Sequence, residues 1–94
     1  MLSTKDIAAM KLNAIAGRGS KKDFIDLYFL LNEFPLEDIL SFYEKKYDDG
    51  SIFMVQKSLT YFEDADSQQQ PKMFKDFNWE TCKQKIIEEV LKLE

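Results

Sequence analysis

From Ile7 to Arg18 apolar side chains return at helical spacing, yet two cations interrupt the stripe they form. At roughly 100° per residue, Ile7, Met10, Ala14 and Ile15 make the centre of that stripe, with Ala8 and Leu12 at its edge. Lys11 and Arg18, seven positions apart, project from its middle. An unpaired ammonium costs several kcal/mol to bury, on the order of magnitude known for buried ions. Any fold of this chain must bring Lys11 and Arg18 to partners, to water or to a cavity. Two carboxylates, Asp23 and Asp26, follow on the next predicted helix and are the nearest partners in sequence. The bland reading is a structural ion pair, or long basic side chains lying along apolar neighbours with their heads in water. The functional reading is that both cations and both carboxylates converge on the rim of a cleft that takes an anionic ligand.

The rest of the chain supports a helical fold. Ser3 is a predicted N-cap with Asp6 three residues later, and the first helix runs from about Thr4 to Arg18. Ser20 opens a second helix, to about Asn32, with Asp23 at the reciprocal capping position. Pro35 marks a turn before a helix over about Leu36 to Tyr47, whose stripe is Leu36, Ile39, Leu40, Tyr43 and Tyr47. The stop signal "DDGS" at 48–51 ends in a predicted cap, Ser51, for a fourth helix, about Ile52 to Phe62, with Ile52, Val55, Leu59 and Phe62 on one face. Asp64 to Phe77 reads as a loop. Asn78 caps a last helix in which Trp79, Cys82, Ile86, Val90 and Leu93 share a side, with Trp79 and the Tyr61/Phe62 pair as core anchors. The expected fold is all-α, a compact bundle of about five helices in one domain over residues 1–94, without a sheet.

Composition narrows the chemistry. With 45% apolar residues and 14% aromatics, 94 residues can build a core. The net charge of −4 argues against sequence-independent nucleic-acid binding by the domain as a whole. Charge is uneven, however: residues 1–22 carry five cations against one anion, +4, which leaves −8 on the remainder. A local basic site in an acidic body suits a small polyphosphate or one stretch of RNA. There is no histidine and one cysteine, so Cys/His zinc patterns, Ser-His and Cys-His nucleophile pairs and an intramolecular disulfide are excluded. No apolar run is long enough for a membrane span, and the chain is expected in the cytoplasm. The turn "RGSKKD" adds backbone N–H groups at a helix start, which suit phosphate oxygens.

The spacing Ile7-x3-Lys11-x2-Ala14-x3-Arg18-x3-Lys22-Asp23-x2-Asp26 resembles a signature in the C-terminal part of the nucleotidyltransferase toxins of the AbiEii/AbiGii family. Lys22 stands where arginine is usual. "KSLTYFEDAD" at 57–66, Pro71 and "FNWETCKQKI" at 77–86 are also similar to that family. The resemblance implies an NTP-dependent transferase of two parts, acting in toxin–antitoxin or phage-defence systems, with nucleotide transfer to a target such as tRNA. Carried over, Lys11 contacts nucleotide phosphates, Asp23 or Asp26 is a catalytic or orienting carboxylate, and Arg18 and Lys22 bind the nucleotide and neutralise charge. The N-terminal lobe of the family carries a Gly-Ser motif and an Asp-x-Asp pair that holds metal. Here neither Gly19-Ser20 nor Gly50-Ser51 follows a strand or precedes a suitable acidic pair. The chain alone is therefore expected to be inactive, with no cofactor and no metal ligands of its own. NTP and Mg²⁺ enter only with that lobe, supplied in cis or in trans. Other expected partners are an antitoxin and, through the whole enzyme, a tRNA acceptor; an uncovered apolar patch would bring self-association. The alternative is a protein-interaction domain without chemistry.

Overall fold

The structure, a computed structural model, describes residues 3–48, 51–69 and 78–93. Its elements are α1 (Thr4–Gly17), α2 (Lys21–Leu30), α3 (Leu36–Lys46), α4 (Ile52–Leu59), α5 (Glu63–Asp66) and α6 (Trp79–Leu91), and no strand occurs among the described residues. The all-α expectation holds, and so do the four predicted caps. Ser3, Ser20, Ser51 and Asn78 each accept a bond from the third backbone N–H of their helix. At α1 the box is closed in both directions, with Asp6 accepting from the Ser3 backbone N–H. At α2 it is not, because the Asp23 carboxylate accepts the Ser20 hydroxyl at 2.7 Å instead of the backbone amide.

α1 is the centre of the molecule and packs on α2, α3 and α4. Its buried residues are Ala8, Ala9, Leu12 and Ile15, whereas Ile7 and Met10 are both 41% exposed. The predicted stripe was therefore misplaced by roughly a third of a turn, at about 100° per residue. Apolar residues surround most of α1, so their mean direction says little about which side is buried. The two alanines decide it by letting neighbouring helices approach closely. Turned this way, Lys11 and Arg18 stand at the edge of the buried arc rather than in its middle.

Elsewhere the stripes fall as expected. Leu36, Ile39, Leu40 and Tyr43 are buried on α3, Val55 and Leu59 on α4, and Cys82 and Ile86 on α6. Burial pushes the Cys82 thiol up to about 12. Its Sγ donates to the Phe24 carbonyl at 3.6 Å. Boundaries differ more. α2 ends at Leu30, and Asn32 and Glu33 continue in turns bonded to Phe29 and Leu30. α4 ends at Leu59, where Thr60 leaves helical geometry. Phe62 still reaches the core and meets Phe24 and Trp79, but Tyr61 is 55% exposed and is no core anchor. The expected loop contains α5, one helical turn that buries Ala65. Pro71, Phe77 and most of that loop lie outside the described residues.

The α1–α2 turn depends on Gly19. Its φ is +63°, a region costly for side chains, and an added Cβ would stand 3.4 Å from the Ile15 carbonyl oxygen. Gly17, the last residue of α1, would meet nothing within 4 Å. The two glycines should thus respond oppositely. In urea denaturation Gly19→Ala is expected to lose about 1 kcal/mol or more. Gly17→Ala is expected to gain about 0.5–1 kcal/mol.

Candidate functional site

The α1–α2 seam gathers four of the five site residues named from sequence. Asp23 lies at its centre, 2% exposed at the third position of α2. Its carboxylate accepts from the Ser20 hydroxyl at 2.7 Å and from the Arg18 guanidinium Nε at 3.3 Å and Nη2 at 3.4 Å. Lys11 Nζ is 3.9 Å from the other side of the same carboxylate and 2.8 Å from Asp26 Oδ2. The result is a continuous line of alternating charge: Arg18, Asp23, Lys11, Asp26. It exists because Lys11 and Arg18, seven residues apart, share one flank of α1, while Asp23 and Asp26 are one turn apart on the facing flank of α2.

Exposure separates the roles these four can play. Asp23 is enclosed and serves the fold: it ties the end of α1 to the start of α2. At the first turn of α2 it also meets the positive end of the helix dipole. Arg18 is anchored by its Nε and Nη2, but 70% of its side chain faces solvent. The Lys11 and Asp26 side chains are about a quarter exposed, 28% and 25%. They line an open hollow of about 350 Å³ together with Ile7, Phe29, Leu30 and Glu33. Arg18 opens onto a different hollow, of about 380 Å³, shared with Lys57 and Tyr61. The two cations therefore do not line one cleft; they lie on either side of Asp23. Lys22 is not brought to the line at all. It is exposed, and among the described residues no ion pair holds it.

These residues do not fit a divalent-metal cradle. Both Asp23 oxygens are occupied by Arg18 and Ser20, and Asp26 gives an oxygen to Lys11. Among the described residues no three His, Cys, Asp or Glu side chains gather to hold a metal ion. They do offer an ammonium beside a partly apolar hollow, held by a carboxylate that an incoming anion could displace.

A second polar cluster escaped the sequence reading. Lys21, the first residue of α2, is 7% exposed. Its backbone N–H donates to Gln68 Oε1 at 2.8 Å, and its Nζ donates to the Gln68 carbonyl at 2.7 Å and lies 5.1 Å from the Trp79 ring. Asp66 accepts Trp79 Nε1 at 2.7 Å and Lys83 Nζ at 3.0 Å. The available signal was Lys21 itself, because a cation in the first turn opposes the helix dipole and needs a partner. Glu89 on α6, also buried, is held by Lys92 at 2.8 Å and Lys85 at 3.6 Å.

The two ends of the charged line should differ in thermal denaturation. Asp23→Ala removes an enclosed carboxylate with several donors and is expected to cost about 2–3 kcal/mol. Lys11→Met leaves Asp26 within reach of water, and its cost should stay near 1 kcal/mol or below. Acid should expose the second cluster. The Trp79 indole N–H, then Lys83, hold Asp66 below its ordinary value of 3.8. A depressed carboxylate stabilises the fold above its unfolded value, and that contribution is lost as pH falls through the folded one. Asp66→Asn should therefore flatten the acid limb of the stability–pH curve below about pH 4, as read by circular dichroism.

A model of the family described as nucleotidyl transferase AbiEii toxin, Type IV TA system, matches residues 1–92. Over 63 residues the chain is 51% identical to the uncharacterized protein aq_aa25 of Aquifex aeolicus (strain VF5). That alignment takes in 65% of this chain and 31% of the relative, so the chain spans less than a third of that protein's length. No solved structure matches the chain.

Proposed function

The chain belongs to the nucleotidyl transferase AbiEii toxin family, and from that premise we propose that it is the helical half of an NTP-dependent nucleotidyltransferase site. Lys11 is the working cation. It leaves Asp26 to meet a phosphate oxygen of the bound nucleotide, and Asp26 then orients the ammonium or the acceptor. Asp23 holds the seam, and Arg18 adds positive charge at its far end. Phosphoryl-type transfer depends mainly on positioning and on charge stabilisation, which is what such residues supply. NTP is the substrate. The Asp-x-Asp pair of an N-terminal lobe, in cis or in trans, would hold Mg²⁺, which would supply charge neutralisation at the phosphates. The acceptor is a cellular RNA such as tRNA, and the system is one of toxin–antitoxin or phage defence.

The observation that carries this reading is the Lys11–Asp26 pair at 2.8 Å, held by a buried Asp23 yet open to a hollow, in residues that carry the family signature. The edge of that hollow is apolar. Ile7 and Phe29, 41% and 43% exposed, line it beside the pair. This supports a covering partner, the lobe itself, and it is also what favours the second reading of a binding module for an antitoxin or partner subunit without chemistry. No helix among the described residues is long and apolar enough to cross a membrane.

Transfer from labelled NTP to total tRNA, in the presence of Mg²⁺, separates the two readings. The chain joined to or mixed with a Gly-Ser/Asp-x-Asp lobe is expected to transfer nucleotide, and the chain alone is not. Lys11→Ala should lower transfer about 10²–10³-fold without unfolding the domain. Unchanged transfer by that variant, or transfer by the chain alone above its own Lys11→Ala control, sinks the proposal and leaves the binding module.

A further inference from the structure

Beyond the four residues of the charged line, we infer that Lys21 and Gln68 are positioning residues, a two-point clamp through which the segment after α5 sets the alignment of Asp23 and Asp26. The inference rests on the proposed role of the Lys11–Asp26 pair for its enzymatic consequence, but not for its structural one. Lys21 opens α2, so its backbone N–H is one of the four donors that a helix start leaves without an intrahelical acceptor. A side chain from 47 positions away supplies that acceptor, Gln68 Oε1 at 2.8 Å. The same glutamine's carbonyl takes the Lys21 ammonium at 2.7 Å. Gripping main chain and side chain of one residue together fixes both the position and the rotation of the first turn of α2.

That turn is where the charged line is built. Ser20 immediately precedes Lys21 and caps Asp23, and Asp26 lies one turn on. The clamp is itself braced. Trp79 lies under the Lys21 ammonium at 5.1 Å and packs edge-on against Phe24 at 6.1 Å. Its indole N–H is held by Asp66, at the end of α5, which also takes Lys83 from α6. A chain of contacts thus runs from α6 through α5 to the first residue of α2, and from there to Asp26 and Lys11. A displacement of about 1 Å at α2 would open the 2.8 Å Lys11–Asp26 contact, and misplacement of that size can cost about 10²-fold in rate. The polar stretch "EDADSQ" supplies Asp66 and Gln68 to this role.

Gln68 is exposed, so Gln68→Ala is expected to fold. Amide hydrogen exchange on the chain itself reads the clamp. Asp23 and Phe24 should lose protection about tenfold, while amides in the middle of α3 keep theirs. Gln68→Glu retains the acceptor and should restore it. A melting-temperature cycle with Asp26→Asn tests the link to the pair: non-additive losses are expected, because without Asp26 there is less alignment to lose. Unchanged exchange at Asp23 and Phe24, or additive losses, overturns the inference whatever the enzymology shows. In the lobe-complemented transfer assay Gln68→Ala should lower kcat about tenfold or more with KM for NTP little changed. An altered exchange pattern with unaltered kcat would confine the clamp to stability and overturn its positioning role. Absence of transfer even from the unsubstituted chain with its lobe would count against the proposed function, while exchange and the melting cycle still decide the clamp.

Discussion

The Asp23 carboxylate is the point on which the α1–α2 seam depends. It is almost fully buried, and an ionised group in that position is tolerable only because donors from three residues reach it. Each donor comes from a different place in the chain: Lys11 from the middle of α1, Arg18 from its end, Ser20 from the cap of α2. Satisfying one carboxylate therefore fixes the angle and register between two helices and the turn joining them. Gly19 makes that turn possible by taking a backbone conformation that a side chain would resist. Lys11 is then left between two carboxylates, one enclosed and one at the surface.

This division of labour answers the anomaly in the sequence. Two cations at the edge of an apolar face are stabilised by one shared buried carboxylate, and among the described residues only Lys11 also pairs with a second, more exposed carboxylate, Asp26. In the function we propose, the buried pairing holds the geometry, and the exposed pairing exchanges a carboxylate for a phosphate. A site built this way stays neutral and folded without its ligand, which an unpaired cluster of cations would not. The exposure of Ile7 and Met10 follows from the same geometry, because they lie on the side of α1 that the core does not use, and Phe29 of α2 meets Ile7 across the hollow.

Much of this was legible in the sequence, for identifiable reasons. Caps were readable because Ser and Asn before an apolar run have one dominant use, and the stripes of α3 and α6 because their polar and apolar sides are distinct. The convergence of Lys11, Arg18, Asp23 and Asp26 was readable because seven- and three-residue spacings repeat on a helix. The buried side of α1 was not, since Ala8 and Ala9 weigh little on a wheel but decide how closely helices approach. Nor was α5, four residues held by Ala65 and by Asp66 contacts with α6 rather than by any local signal. Lys22 looked equivalent to its neighbours in the signature, yet α2 turns it to solvent. Lys21 drew no notice because its partner, Gln68, lies in a stretch whose composition reads as loop.

The most direct measurement is a crystal structure of the domain with its complementing lobe and a non-hydrolysable NTP. The account predicts that Lys11 Nζ has moved from Asp26 to within hydrogen-bond distance of a phosphate oxygen, with Arg18, Ser20 and Asp23 unmoved. A nucleotide bound elsewhere, with Lys11 still closed on Asp26, would contradict it and leave the charged line as a structural seam.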